Sequence, residues 1–369
     1  MRDNFRMGIM ENLPISILLV PYAAVSFGRQ YHPATFLFGI AFFLVYALII
    51  YGYLKYIREN STEAGSTGYG LMDICFDARG RGGILAALIY VIRYMLRAGF
   101  VGYVVYRLIR GLGLEYDRSL IAVCPIFILL AVYGAAGSYS KKAVLGNFLM
   151  YWMVVPLILI LVLSISRMDY GDIAYIFSQF SISMDEVFGG AWTILALLST
   201  LELILYSMGR TTRKQTGISW GQGYVRLVVW IVIAVTLSYV YMLGMLGRRY
   251  MTSETLRISF GTAIDYGLFL AWFIGAFYVA ASYIFYAREF VIRLREPDSD
   301  GATGGKAWLI NLLMFAGVLL FVYAFDYGVI RPYLLYYMVY GDVALTLLMP
   351  GYLIVARRIK YMKRRVLHD

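Results

Sequence analysis

A chain of 369 residues that is 61% hydrophobic, only 15% charged and of mean hydropathy +0.70 lies far outside the composition of water-soluble domains. Its net charge of +11 would point to nucleic acid in a soluble protein, but in so apolar a chain the placement of the cations matters more than their sum, and no nucleic-acid partner is expected. Two cysteines and two histidines, none at metal-ligand spacing, give no support for a disulfide framework, a metal site, a cofactor or a catalytic centre, so the chain is not expected to be an enzyme.

A membrane-spanning helix needs roughly 20 mainly apolar residues, because lipid offers the backbone no hydrogen-bond partner. Ten stretches meet that need, near 9–28, 34–57, 83–110, 119–137, 143–166, 190–209, 223–246, 263–292, 307–328 and 333–355. They predict an all-α integral membrane protein with a single transmembrane domain over 1–369. Residues 1–168 form a first five-helix set, 169–189 an outside loop and 190–356 a second five-helix set. Residues 357–369 form a basic tail. With the N-terminus cytoplasmic, most of the 33 Lys and Arg fall on the inside, including Lys141, Lys142, the 210–214 cluster and the tail, so both termini are expected to be cytoplasmic. The tail is expected to rest against anionic lipid headgroups. No small-residue cleavage site follows the first span, which is expected to be retained.

An odd number of spans per half inverts the second half relative to the first, so a structural repeat here must be a 5+5 inverted one. The third span is the longest in each half. The first span of each half also carries polar interruptions. In span one these are Glu11, Asn12, Pro14 and Ser16, with a proline that cannot close its helical turn; in span six they are Ser199, Thr200 and Glu202. Two discontinuous helices, 1 and 6, would expose backbone groups able to hold a zwitterion or an ion at mid-membrane. A plain proline kink beside a hydrogen-bonded glutamate is the alternative.

Span three places Arg93 and Arg97 one turn apart beside Tyr90 and Tyr94, and a charge at that depth requires a partner. The available acids are Glu202, Glu11 and Asp342, either as a structural clamp between helices or as part of a substrate contact. Span eight has small residues at helical spacing, among them Gly267, Ala271, Gly275 and Ser282. These suit close packing, or place Ser282 on a central cavity. The 34 tyrosines are expected to form interfacial belts at the span ends.

The order of these features resembles the B-subunit family of spore germinant receptors, the GerAB-type endospore germination permeases of the amino acid–polyamine–organocation superfamily. The similarity runs nearly end to end. It rests on Pro21 with Gly28-Arg29-Gln30, the stretch 90–97, the segment 169–176, Glu202 with Tyr206 and Arg213-Lys214, and Ile264-Asp265-Tyr266-Gly267 with Trp272, Gly275, Tyr283 and Tyr286. It implies a LeuT-like fold and a site for a small germinant, such as an amino acid, between helices 1 and 6. It also implies A-type and lipoprotein C-type partner subunits in the spore inner membrane. A secondary amino acid transporter of the same superfamily is the other function such a fold serves. The ligand-binding residues expected are Asn12, Ser16, Tyr94, Arg97, Ser199, Thr200, Glu202 and Ser282. The chain departs from the family at Leu13-Pro14-Ile15-Ser16, where a Gly-Ser type break is usual.

Overall fold

The computed structural model describes residues 8–12, 33–63, 70–77, 81–111, 117–165, 168, 170–171, 183–207, 220–252, 263–295 and 307–366. It is almost entirely helical (96%), and the described residues contain no strand. After a helical turn at 8–12 come α1 (Pro33–Glu63), α2 (Leu71–Asp77), α3 (Arg81–Gly111), α4 (Asp117–Ala135), α5 (Tyr139–Ser164) and α6 (Met184–Leu198). A 3-10 stretch, Ser199–Leu203, joins α6 to α7 (Ile204–Ser207). Then follow α8 (Trp220–Thr252), α9 (Ala263–Arg295), α10 (Ala307–Asp326) and α11 (Arg331–Tyr336), a π turn at Tyr337–Gly341, and α12 (Asp342–Val366).

Seven described stretches are long and apolar enough to cross a membrane: Pro33–Glu59, Gly82–Arg107, Met184–Tyr206, Gly221–Val240, Leu270–Arg295, Ala307–Asp326 and Arg331–Ile359. They make the chain an integral membrane protein. The expected spans four and five fall on α4 and α5, whereas most of span one, including Pro14 and Ser16, lies outside the described residues. Leu37 and Leu48 on α1, Trp152 and Leu159 on α5, and Leu312 and Leu320 on α10 are exposed, which suits hydrocarbon rather than water.

Two boundaries differ from expectation. Span six begins at Met184 rather than 190, because the Ser183 hydroxyl caps the helix by accepting from the Glu186 N–H, 3.3 Å away. The segment expected as a basic tail continues α12 as helix through Val366, and its first arginine, Arg357, is buried.

The centre of the molecule is α9 lying along α3, with α4 and α5 packed against α9 and α10 against α3; α1 and α6 form the other closely packed pair. Close approach is set by glycine. A side-chain carbon at Gly99 of α3 would stand within 2.5 Å of Phe321 on α10, so only a residue without Cβ lets the two backbones meet. Gly39 on α1 plays the same part against Ile194 on α6. The stripe residues Ala271, Gly275, Ala280 and Ala281 of α9 are buried within the bundle, as close packing of that stripe requires.

The tyrosines do not all form belts. Tyr46, Tyr90, Tyr94, Tyr278, Tyr283 and Tyr286 are among the largest fully buried side chains, and Tyr206 is buried with them. A phenol can be buried when its hydroxyl finds a partner. Tyr94 donates to the Tyr206 hydroxyl (2.7 Å), Tyr46 to the Ser199 carbonyl (3.0 Å) and Tyr224 to the Ala47 carbonyl (2.6 Å). Tyr133, Tyr323 and Tyr333 keep the exposed positions a belt requires.

Between the first two of the seven apolar stretches, the short helix α2 is fixed by Asp73. Its carboxylate accepts from the Gly70 N–H at the helix start (2.7 Å) and also pairs with Arg293 near the end of α9. Cys75 on the same helix is buried and directs its thiol to the Gly83 carbonyl. Burial pushes that thiol up to about 12, so at neutral pH it is not a nucleophile.

Candidate functional site

Among the described residues, two charged clusters that join several helices lie inside the bundle. The first is built on α3, whose helical spacing sets Arg93 and Arg97 on one face, and both are almost wholly removed from solvent. Arg93 donates through Nη1 to Glu202 Oε1 at 2.8 Å, brings Nη2 within 2.7 Å of Glu202 Oε2 as an ion pair, and donates through Nε to Asp342 Oδ1 at 2.5 Å. It also donates to the Thr346 hydroxyl. Arg97 donates through Nε to Asp342 Oδ2 at 2.7 Å, through Nη1 to the Tyr283 hydroxyl at 3.0 Å and through Nη2 to Ser199 Oγ at 2.5 Å. Two guanidinium groups and two carboxylates make the group neutral as a whole. Neutrality and near-complete hydrogen bonding are what make such burial tolerable.

The backbone explains why the acids sit there. Glu202 lies in the 3-10 stretch Ser199–Leu203, where the tighter winding changes which carbonyls are bonded; the Tyr46 hydroxyl takes up the Ser199 carbonyl. Asp342 is the first residue after the π turn, and Thr346, one turn further on, donates to the Asp342 carbonyl (2.7 Å). The two arginines of α3 therefore join the 3-10 stretch and the π turn, two places among the described residues where spanning helices leave regular α geometry. The sequence predicts a discontinuity in helix 6 at these residues. The structure places an irregularity there, but as a continuous 3-10 tightening: Leu198, Ser199 and Ile204 all keep right-handed helical dihedrals.

The second cluster joins the turn at 8–12 to α5 and α9. Lys142 Nζ lies 2.5 Å from Glu11 Oε1, the same oxygen accepts from the Tyr286 hydroxyl at 3.1 Å, and the ammonium stands over the rings of Tyr286 (3.9 Å) and Phe285 (4.9 Å). Lys142, expected in an inside basic cluster with Lys141, is instead buried and paired. It projects from the first turn of α5 into the bundle, and its charge is compensated by Glu11 where a loop lysine's would be by water. Glu11 is thereby the partner of Lys142 and not of Arg93 or Arg97.

Of the residues expected to bind ligand, Arg97, Ser199 and Glu202 fall in the first cluster. Thr200 and Asn12 touch each other, the Thr200 hydroxyl donating to Asn12 Oδ1 at 2.7 Å, and so link the 3-10 stretch to span one. Tyr94 stacks on Tyr283 and lies beside Arg93, its ring centroid 5.7 Å from the guanidinium carbon. Ser282 is fully buried on α9 next to Tyr283 but enters neither cluster's charged contacts. Ser16 lies outside the described residues. Sequence reasoning missed Thr346 and Lys142. The signal for Lys142 was present: it opens a long apolar run, while Glu11 required a cation at similar depth.

A tyrosine ladder connects the clusters. Tyr206 stands edge-on to Tyr94 (5.9 Å) and packs on Tyr286 (5.0 Å), and the last two rungs wall a small cleft with Gly70, Met72, Asp73, Phe285 and Glu289. Its cavity volume is about 10 Å³. No family model matches the chain, and no curated protein matches it.

Proposed function

We propose that this chain is the permease-like subunit of a spore germinant receptor, which binds a small amino-acid-like germinant between helices 1 and 6 and passes the event to A-type and C-type partners. The observation that carries this is the junction of Asn12 with Thr200 beside the Ser199–Glu202 stretch. There a polar turn of span one meets the 3-10 segment of span six among buried charges. A mid-helix 3-10 segment is a common hinge, and a zwitterion needs one anion and one cation at the depth where it binds.

The charges are mutually engaged in the arrangement seen, so a ligand enters by exchange. Its carboxylate takes the place of Asp342 on Arg97, and its ammonium takes a share of Glu202. Such exchange adds no new uncompensated charge to the interior and shifts Asp342 at the head of α12. In this proposal the ten spans form a LeuT-like 5+5 inverted repeat, with a site whose occupancy moves the helices relative to one another.

The test is a panel of amino acids added to the purified chain while its thermal unfolding is followed. A ligand present at a hundredfold excess over its Kd stabilises the folded state by about 2.7 kcal/mol. One member or a few should raise the midpoint and its close analogues should not; a panel without effect overturns the proposal. The secondary-transporter reading separates at the next step, because it requires solute accumulation by the chain alone in proteoliposomes.

The proposed orientation has both termini in the cytoplasm, since the inverted orientation would place most of the 33 Lys and Arg outside. A cysteine introduced beside Lys363 should resist an impermeant thiol reagent in intact cells and react after permeabilisation. Reaction in intact cells would reverse the orientation.

A further inference from the structure

Glu11, Glu202 and Asp342 are all fully buried, yet they differ in one respect. Glu202 accepts a hydrogen bond from Arg93 at Oε1, and its Oε2, which has no aligned hydrogen bond, still lies 2.7 Å from Arg93 Nη2; the two oxygens of Asp342 are divided between Arg93 and Arg97. Glu11 engages Lys142 and Tyr286 through Oε1 alone, and its Oε2 has no hydrogen-bond partner among the described residues. A buried carboxylate oxygen without a donor is the costliest kind of acceptor to leave in that state, and adding a proton removes the charge that makes it so.

The surroundings supply a route and a means of tolerating the change. Tyr286 both donates to Glu11 and walls the cleft beside α2, which has Asp73 and Glu289 on its sides and room for about one water molecule. If Glu11 becomes neutral, Lys142 loses its ion pair, but its ammonium still lies over the faces of Tyr286 and Phe285, a setting that favours a cation without a carboxylate. Among the described residues, the titratable groups that meet Glu11 are Lys142 from α5 and Tyr278 and Tyr286 from α9.

We propose that Glu11 is a proton-binding site, reached from the aqueous phase on the α2 side through the cleft and the Tyr286 hydroxyl. A hydronium in the cleft gives its proton to the Tyr286 oxygen as the phenol passes its own to the Glu11 carboxylate, so water and a neutral phenol remain and only Glu11 changes charge. Protonation loosens the turn at 8–12 from α5. Because Asn12 is bonded to Thr200, the same step bears on the 3-10 stretch of span six. The proton site stands independently of which solute, if any, binds there.

Infrared difference spectra of the purified full-length chain, recorded across pH without added solute, read the site directly. A protonated-carboxyl band should appear on acidification and be absent from Glu11→Gln. Lys142→Met removes the cation that favours the charged carboxylate, so the band should appear at a pH higher by about one unit or more, a tenfold change in proton affinity. Tyr286→Phe removes a hydrogen bond to the charged form and should shift it in the same direction. Spectra of Glu11→Gln that superimpose on those of the parent overturn the proposal. Should that variant fail to fold, a band whose midpoint ignores both Lys142→Met and Tyr286→Phe overturns it equally.

Discussion

Asp342→Asn should destabilise the folded protein by about 3–5 kcal/mol, the cost of breaking a buried ion pair by removing one partner. Asp342 is the shared acid of the first cluster. Its two oxygens accept from Nε of Arg93 and Nε of Arg97, and both arginines are buried away from solvent. Asparagine keeps the shape but leaves two guanidinium groups one turn apart with only Glu202 between them. Denaturant unfolding of the purified protein measures the loss. Adding Arg97→Met to Asp342→Asn restores one cation to one anion, Arg93 with Glu202, and should return part of the loss, with a coupling of about 1–3 kcal/mol. A double variant no more stable than Asp342→Asn alone would show that the four charges do not act as one neutral unit.

Asp342 also shows what could be read from the sequence. Hydropathy was legible because backbone hydrogen bonding in lipid leaves a long apolar helix few alternatives, and seven of the ten expected stretches coincide with described stretches long and apolar enough to cross a membrane. The arginines of span three and two of their three candidate acids, Glu202 and Asp342, were legible for a related reason: a charge in an apolar run must find its complement. Which acid serves which cation was not legible. That depends on the rotation of each helix about its axis, and Lys142 captured Glu11 only because α5 turns its first residues inward. The tyrosines misled in the same way. An amphipathic ring suits an interface and a hydroxyl-satisfying core equally, and only packing partners such as Tyr206 for Tyr94 decide between them. The irregularity of span six was visible as Ser199-Thr200-Leu201-Glu202, whereas the π turn before Asp342 carries no proline and gives no comparable local signal.

Glu202→Gln should separate function from folding. Glutamine nearly matches glutamate in shape and can still accept from Arg93, and Arg93 retains Asp342 and Thr346, so the variant loses about 1–3 kcal/mol of stability and remains assembled. The charge itself is gone from the 3-10 stretch, and the proposed ligand ammonium has lost its anion. The germinant concentration needed for a half-maximal response should rise at least tenfold, the equivalent of about 1.4 kcal/mol of binding. On the proposed function, A-type and C-type subunits should co-purify with variant and parent alike from gently solubilised membranes. A response that is unchanged while Asp342→Asn is destabilised would make the first cluster a structural clamp and move the ligand away from Glu202. If the purified chain, with no partner detectable, accumulates solute in proteoliposomes and Glu202→Gln abolishes that accumulation, the same residue serves a carrier, because a site that discharges its ligand to the far side of the membrane has no need of subunits to report its occupancy.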